Sequence, residues 1–180
     1  VRLSVELGFR IQPQTEKWLT EDNASLEGVA GERIRDELLK IIRPPAPAEF
    51  WRYFDRLGLV SAVFPELNAG KGVGQPEEHH WDVYEHALET AQAATAILRQ
   101  GVWRYADDAL MAPLVWQEKL ARHFAAPVGR QSDHRMIVIL AALLHDIAKP
   151  ERRRVAENGR IRFLEHDKAG AEMAEAVMRR

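Results

Sequence analysis

MIVILAALLHDIAKP, residues 136–150, is the stretch whose reading decides the fold. From Met136 to Leu144 every residue is apolar, and a helix apolar on all sides belongs inside a domain rather than on its surface. Its far end carries His145 and Asp146, then Lys149 and Pro150. The helix is expected to stop there, because the residue before a proline disfavours the α conformation. An imidazole beside a carboxylate at the end of a buried helix is costly unless something compensates them. A divalent cation would do so. So would a quieter arrangement, with His145 a neutral core histidine bonded to a carbonyl and Asp146 paired with Lys149 one turn on. The doublet alone leaves both open.

The composition sets the outer bounds. At 180 residues, 46% hydrophobic and 29% charged, the chain suits one well-cored domain or a domain with a helical arm. A net charge of −2 excludes an overall basic coat for nucleic acid, although not a local patch. Without cysteine there is no disulfide framework and no thiolate site, so any metal must be held by His, Asp and Glu. The longest apolar run is far short of a membrane span and no signal peptide precedes it, so a cytoplasmic location is expected. Val1 reads as mid-helix, which suggests a piece of a longer protein.

Downstream of the central helix, RRRVAENGRIRF (residues 152–163) has the pattern of a small β-hairpin. Asn158-Gly159 would supply the positive φ angles of a type I′ turn, with Val155, Ile161 and Phe163 on one face. His166-Asp167 opens a final helix with Asp167 as its N-cap, and Ala169, Gly170, Ala171 and Ala174 give it a small-residue face for close packing.

Upstream, helical punctuation recurs. Gly8 closes a first helix and Pro13 opens a second. Residues 32–42 carry an apolar stripe of Ile34, Leu38, Ile41 and Ile42, with Arg33 and Glu37 spaced to pair. Phe50, Trp51, Phe54 and Leu57 form one side of the next helix, ended by Gly58. Residues 59–67 read as a short helical turn closed by Pro65. NAGKGVGQPEE, residues 68–78, is a polar, glycine-rich linker and the expected domain boundary. Beyond it, Asp82 and Glu85 fit a capping box for a helix running to about residue 99, with Val83, Ala87, Thr90, Ala94 and Ile97 inward. Residues 101–130 suggest a helix that Pro113 must kink or begin. Trp103 and Trp116 are read there as local core.

Three histidines thus occupy helix ends, where side chains can line a cleft: His86, His145 and His166. Imidazole nitrogen with carboxylate oxygen and no sulfur suits Mn, Fe, Zn, Co or Ni, whereas Mg would need more oxygen ligands. His79, His80, His123 and His134 are read as non-ligands.

YEHALET, LLHDIAKP and FLEHDKAGAEMAEAV, taken together, resemble the HD superfamily of metal-dependent phosphohydrolases. The resemblance implies an all-α, HD-like helical bundle holding a divalent metal. It assigns His86, His145 and Asp146 to the first three ligand positions and His166 to an additional histidine. Lys149 matches a lysine that meets substrate phosphate. The superfamily's closing aspartate is normally on a later helix, which this sequence does not reach before Arg180. RLSVELGFRIQPQT, VAGERIRDELLKII, LVSAVFPEL and QPEEHHWDVYEHALET are similar, more closely, to the HD-containing branch of the tRNA nucleotidyltransferase and poly(A) polymerase family. On that likeness residues 1–67 form a helical, RNA-binding-like neck and residues 75–180 the HD domain, with 100–131 a variable insertion. The polymerase head has no counterpart in this sequence, so this chain alone is not expected to add nucleotides.

Two functions follow. One is an enzyme, a metal-dependent phosphomonoesterase or 2′,3′-cyclic phosphodiesterase on nucleotides or RNA ends, with Asp146 and Lys149 in the reaction and Arg152, Arg153 and Arg154 binding phosphate. The other is a binding module, the neck and body of a transferase holding tRNA-like RNA beside a non-catalytic HD site.

Overall fold

Proline, glycine and acidic caps cut this chain into short helices, and the computed structural model places them in one all-α bundle with a small two-stranded hairpin. It describes residues 1–42, 50–76, 78–98, 117–129 and 132–180. The sequence features at 43–49 and 99–116, including Pro113, Trp103 and Trp116, lie outside the described residues. No helix among those described is long and apolar enough to cross a membrane.

The neck begins with α1 (Arg2–Leu7), closed by Gly8 at φ 67°, and α2 (Pro13–Glu21), with Pro13 in its first turn. A 3₁₀ helix (Asn23–Gly28) leads into α3 (Gly31–Ile42). There Glu37 does not pair with Arg33: it takes Arg2 Nε at 2.6 Å and Lys40 Nζ at 2.8 Å. α4 (Phe50–Arg56) follows, with Phe50, Trp51 and Phe54 buried. After it come α5 (Leu59–Val63) and α6 (Pro65–Asn68). Pro65 therefore opens a helix rather than closing one, as its missing N–H and preset φ favour.

The second half is built on α7 (Val83–Leu98), α8 (Glu118–Ala125), α9 (His134–Leu144) and α10 (Lys149–Arg152). Strands β1 (Arg153–Val155) and β2 (Ile161–Phe163) precede α11 (His166–Arg179). α7 and α9 pack against each other more extensively than any other pair of elements described. One hydrophobic cluster runs from Leu38 and Ile41 in the neck through Phe54, Leu88 and Ala91 to Met136, Ile139, Leu143 and Val177. It contains residues from both sides of the 68–78 segment.

Two helices differ from their sequence reading. α9 buries one face only: Met136, Ile139, Leu140, Leu143 and Leu144 are inside, while Ile137 and Val138 are 43% and 38% exposed. An unbroken apolar run carries no periodicity from which a free face could be read. α7, by contrast, buries nearly its whole circumference. Leu88, Glu89, Ala91, Gln92 and Leu98 are buried along with Val83 and Ala87, whereas Thr90, Ala94 and Ile97 are only half-buried. It is covered by α9 on one side and reached by Arg52 of α4 on another, so a single inward stripe does not describe it.

The hairpin forms with Val155, Ile161 and Phe163 on one face as expected, Val155 opposite Ile161 and Arg153 opposite Phe163, but its turn is not type I′, which would shift the pairing by one residue. Gly159 has φ 78°, and Asn158 does not adopt a positive φ. Ala156 and Arg160 close a three-residue loop through a 2.9 Å backbone hydrogen bond, and Asn158 Oδ1 accepts from the Arg160 amide. One left-handed glycine suffices for a loop of that length.

Candidate metal centre

The first turn of α7 is fixed by Asp82. Its Oδ1 accepts from the Glu85 amide at 2.7 Å and its Oδ2 from the Gly72 amide at 2.7 Å, which ties the helix start to the preceding loop. Glu85 does not reach back to complete a capping box; its carboxylate goes to Arg52 at 2.7 Å. His86 follows, one residue into the secured turn. α9 is capped by Asp133, whose side chain accepts from the Met136 amide. The chain then leaves α9 through His145, still in the α conformation, and turns through Asp146 into Lys149, whose amide donates to the Asp146 carbonyl at 2.9 Å.

α11 delivers the third histidine. A Cβ at Gly170 would meet the His145 carbonyl at 3.5 Å and Ala148 Cβ at 3.9 Å, so a small residue lets this helix lie against the turn. The N-cap position is Glu165 at φ 58°, not Asp167, which sits inside the first turn.

These elements bring four of the marked side chains around Asp146, which is 3% exposed. Asp146 Oδ2 lies 2.9 Å from His145 Nε2, 3.5 Å from His86 Nε2 and 2.7 Å from Lys149 Nζ. Its Oδ1 lies 3.5 Å from His166 Nε2. One potential ligand atom from each of His86, His145 and Asp146 falls within 4.8 Å of the others. The quiet arrangement is present at the same time: His145 Nδ1 meets the Ala142 carbonyl at 2.8 Å, and Lys149 is paired with Asp146.

Those backbone contacts determine what the rings can do. A carbonyl only accepts, so Nδ1–H of His145 donates to Ala142, and Nδ1–H of His166 donates to Phe163 at 2.6 Å. In the neutral rings Nε2 then carries the lone pair, the tautomer a metal ligand needs. Lone pairs of two imidazoles aimed at a carboxylate repel it unless a proton or a cation intervenes. Although Oδ2 is within ion-pair range of three nitrogens, it is buried with no well-angled hydrogen bond. The donor set, nitrogen and carboxylate oxygen around an incompletely satisfied buried oxygen, therefore fits a divalent cation.

Without an ion, the electrostatics favour a proton on His145 and the charge on Asp146. Burial and then the neighbouring His145 lower the pKa of His86, keeping it neutral. For His145 burial acts against the charged form, but the Asp146 carboxylate outweighs it and raises the pKa. Asp146 itself is held well below the usual carboxylate range: burial alone would raise it, and the His145 and Lys149 contacts prevail.

One participant escapes sequence reasoning: Gln75 Oε1 accepts from Lys149 Nζ at 2.7 Å. The exposed His79 ring, read as a non-ligand, sits edge-on to His86 at 5.3 Å. Gln75 belongs to a segment that reads as plain linker, and no local pattern marks it. Arg152, Arg153 and Arg154 do not join the cluster around Asp146. Arg153 reaches the Gly74 carbonyl at 3.5 Å, Arg154 bonds the Arg153 carbonyl, and Arg152 is exposed. His123 and His134 stack on each other at 4.6 Å, on α8 and at the start of α9. A cavity of about 550 Å³ lies in the neck among Leu26, Ile34, Leu38, Phe54 and Leu59, and shares no lining residue with the Asp146 site.

Helical bundle and His-His-Asp cluster together define an HD-type centre, and comparison with known families agrees: residues 83–180 match the HD domain. The chain belongs to the HD domain family. Residues 8–71 match a family described as the probable RNA and SrmB-binding site of polymerase A. Along 99% of its length the chain is 32% identical to the A-adding tRNA nucleotidyltransferase of Deinococcus radiodurans, and likewise 32% identical to the CC-adding tRNA nucleotidyltransferase of Thermus thermophilus. A multifunctional CCA protein of Vibrio vulnificus is 33% identical over 56% of the chain. The chain spans about a third of the length of the first two relatives, 35% of each, and 26% of the third.

Proposed function

We propose that this chain is a cytoplasmic metal-dependent phosphohydrolase, acting on phosphomonoesters or 2′,3′-cyclic phosphodiesters of nucleotides or RNA ends. The observation that carries the reading is the convergence of His86, His145 and Asp146 on one point, with Asp146 Oδ2 buried and incompletely satisfied. In this reading these three, with His166, hold a divalent ion (Mn, Fe, Co, Ni, Zn or Mg). Bound there, the ion would polarise a phosphoryl oxygen and acidify a water. Lys149, ordered by Gln75 and lying 5.2 Å over the Phe163 ring, neutralises charge that develops on the phosphoryl group. Arg153 on the neighbouring strand, with Arg152 and Arg154, binds the substrate phosphate. Residues 1–67 then act as a neck and 75–180 as the hydrolase domain, with 100–131 an insertion.

A second reading is supported by the neck's match to an RNA-binding family and by the transferase relatives: the chain is the RNA-holding body of a tRNA nucleotidyltransferase, its HD site non-catalytic. Metal analysis of protein purified without chelator, followed by assay on p-nitrophenyl phosphate and 2′,3′-cyclic AMP, separates the two. Stoichiometric metal with turnover that Asp146→Ala abolishes supports the hydrolase. Metal-free protein, inert after reconstitution with each candidate ion, leaves the RNA-holding body.

A further inference from the structure

Arg152, Arg153, Arg154, Arg160 and Arg162 fall on and beside one two-stranded hairpin of a chain whose net charge is −2. Among the described residues none of the five forms an ion pair with a carboxylate, although Glu151, Glu157 and Glu165 flank them. Elsewhere arginines do find acids: Arg2 takes Glu37, Arg179 takes Glu175 and Arg180 takes Glu66. The ladder also sets Arg154 directly opposite Arg162, a like-charge placement that costs a hairpin stability.

Alternation along the strands sends these charges two ways. Arg153 shares a face with Phe163, whose ring carries Lys149 and adjoins His166. Arg154 and Arg162 occupy the opposite, exposed face, and Arg160 stands at the exposed loop end. Positive charge therefore continues from the Asp146 site around the hairpin edge and away from it. A lone phosphate at the Asp146 site leaves Arg154, Arg160 and Arg162 without an anion. A chain of phosphates, flexible enough to turn its end towards a buried carboxylate, offers one to each.

We propose that the 153–163 hairpin is a docking surface for the phosphate backbone of a single-stranded polynucleotide. The strand's phosphorylated 3′ end, rather than a free mononucleotide, is then the preferred substrate of the adjoining site; this half rests on the hydrolase reading above. The test uses the metal-loaded chain, a short oligoribonucleotide ending in a 2′,3′-cyclic phosphate, and 2′,3′-cyclic AMP. Anisotropy across a salt series reads binding, and steady-state assays give kcat/KM for both substrates.

In the double variant Arg160→Gln/Arg162→Gln, the slope of log affinity against log salt becomes shallower by about 1.4, two single-strand phosphate contacts at about 0.7 each. The preference for oligonucleotide over mononucleotide falls about tenfold, as expected for two such contacts. Arg160→Lys/Arg162→Lys keeps most of the slope, which separates lost charge from a collapsed hairpin. An unchanged slope and preference, or cyclic AMP as the better substrate of the unaltered protein, overturns the proposal. Equal competition by polyglutamate of matched charge also overturns it, in favour of an acidic protein partner. An intact slope effect with neither substrate cleaved sinks the hydrolase reading and the substrate assignment, while the docking surface stands on the slope alone.

Discussion

Two carboxylates are buried among the described residues, and they are treated differently. Glu89, 1% exposed on α7, meets the Arg52 guanidinium at 2.6 Å, and Arg52 also takes Glu85 at 2.7 Å. Asp146, 3% exposed at the end of the α9 turn, faces three imidazoles and an ammonium, and its Oδ2 lacks a well-angled hydrogen bond. Glu89 has a permanent guanidinium partner, which can neither lose its charge nor be displaced by a small ion without stranding two groups. Asp146 has partners whose lone pairs suit a cation. The first arrangement ties the neck to α7. The second gathers nitrogen and oxygen donors of the kind a divalent ion takes.

The contrast breaks most visibly at Arg52. Arg52→Met leaves Glu89 in the interior without its guanidinium, and losing one member of a buried pair costs about 3 kcal/mol or more. With Arg52 itself one-third exposed, the low end of that range is expected. Urea unfolding reads it, and a loss below about 1 kcal/mol would show that Glu89 is satisfied by other means.

Metal binding comes next. If the Asp146 cluster holds a divalent ion in the native state only, an ion at a hundred times its dissociation constant stabilises the chain by about 2.7 kcal/mol. Thermal melts with and without chelator measure this. A matching shift in Asp146→Ala would place the ion elsewhere.

Removing the Asp146 carboxylate from the metal-free chain is expected to cost only about 1 kcal/mol, less than truncation of an ordinary core side chain, because a desolvated charge leaves with it. Lys149 keeps Gln75 and the Phe163 ring. Metal retention, by contrast, is lost. The pH dependence has a definite sign: the pKa of Asp146 is lower in the folded chain. Its contribution is therefore present above the unfolded carboxylate value and lost as pH falls through the folded one. The gap between the metal-free protein and Asp146→Ala should narrow as pH falls through that acid limb, and narrow again as pH rises through the raised His145 pKa, because Asp146 holds that proton in place.

Local signals account for what the sequence makes legible. Gly8, Pro13 and Asp82 mark helix ends by backbone chemistry that needs no partner, and the shared face of Val155, Ile161 and Phe163 follows from alternation. His86, His145, Asp146 and His166 each stand out by position at a helix end. Arg52–Glu89 and Gln75–Lys149 are hidden because the partners lie 37 and 74 residues apart and no periodicity links them. Glu85 shows the competition directly: its local capping role loses to a guanidinium brought in by tertiary packing. The solvent-facing side of α9 was invisible for a different reason, since Ile137 and Val138 are as apolar as the residues that are buried.

The smallest effect lies in the neck, where the same logic operates half in water. Tyr53 donates its hydroxyl to Glu16 Oε1 at 2.5 Å, and burial, then that hydrogen bond, pushes its pKa up to about 12. A raised pKa means the folded chain holds the proton after the unfolded chain has released it. The contribution is therefore complete below about pH 10, the ordinary tyrosine value, and fades as pH climbs to about 12. Tyr53→Phe lacks the group, so the stability gap between the two proteins should be constant from pH 7 to 9 and close steadily above pH 10. Comparing the pair at each pH cancels lysine deprotonation, which both share. A gap that stays level up to pH 12 would mean that Tyr53 titrates alike in the folded and unfolded chain, and that this contact, unlike those at Glu89 and Asp146, is too wet to hold a proton.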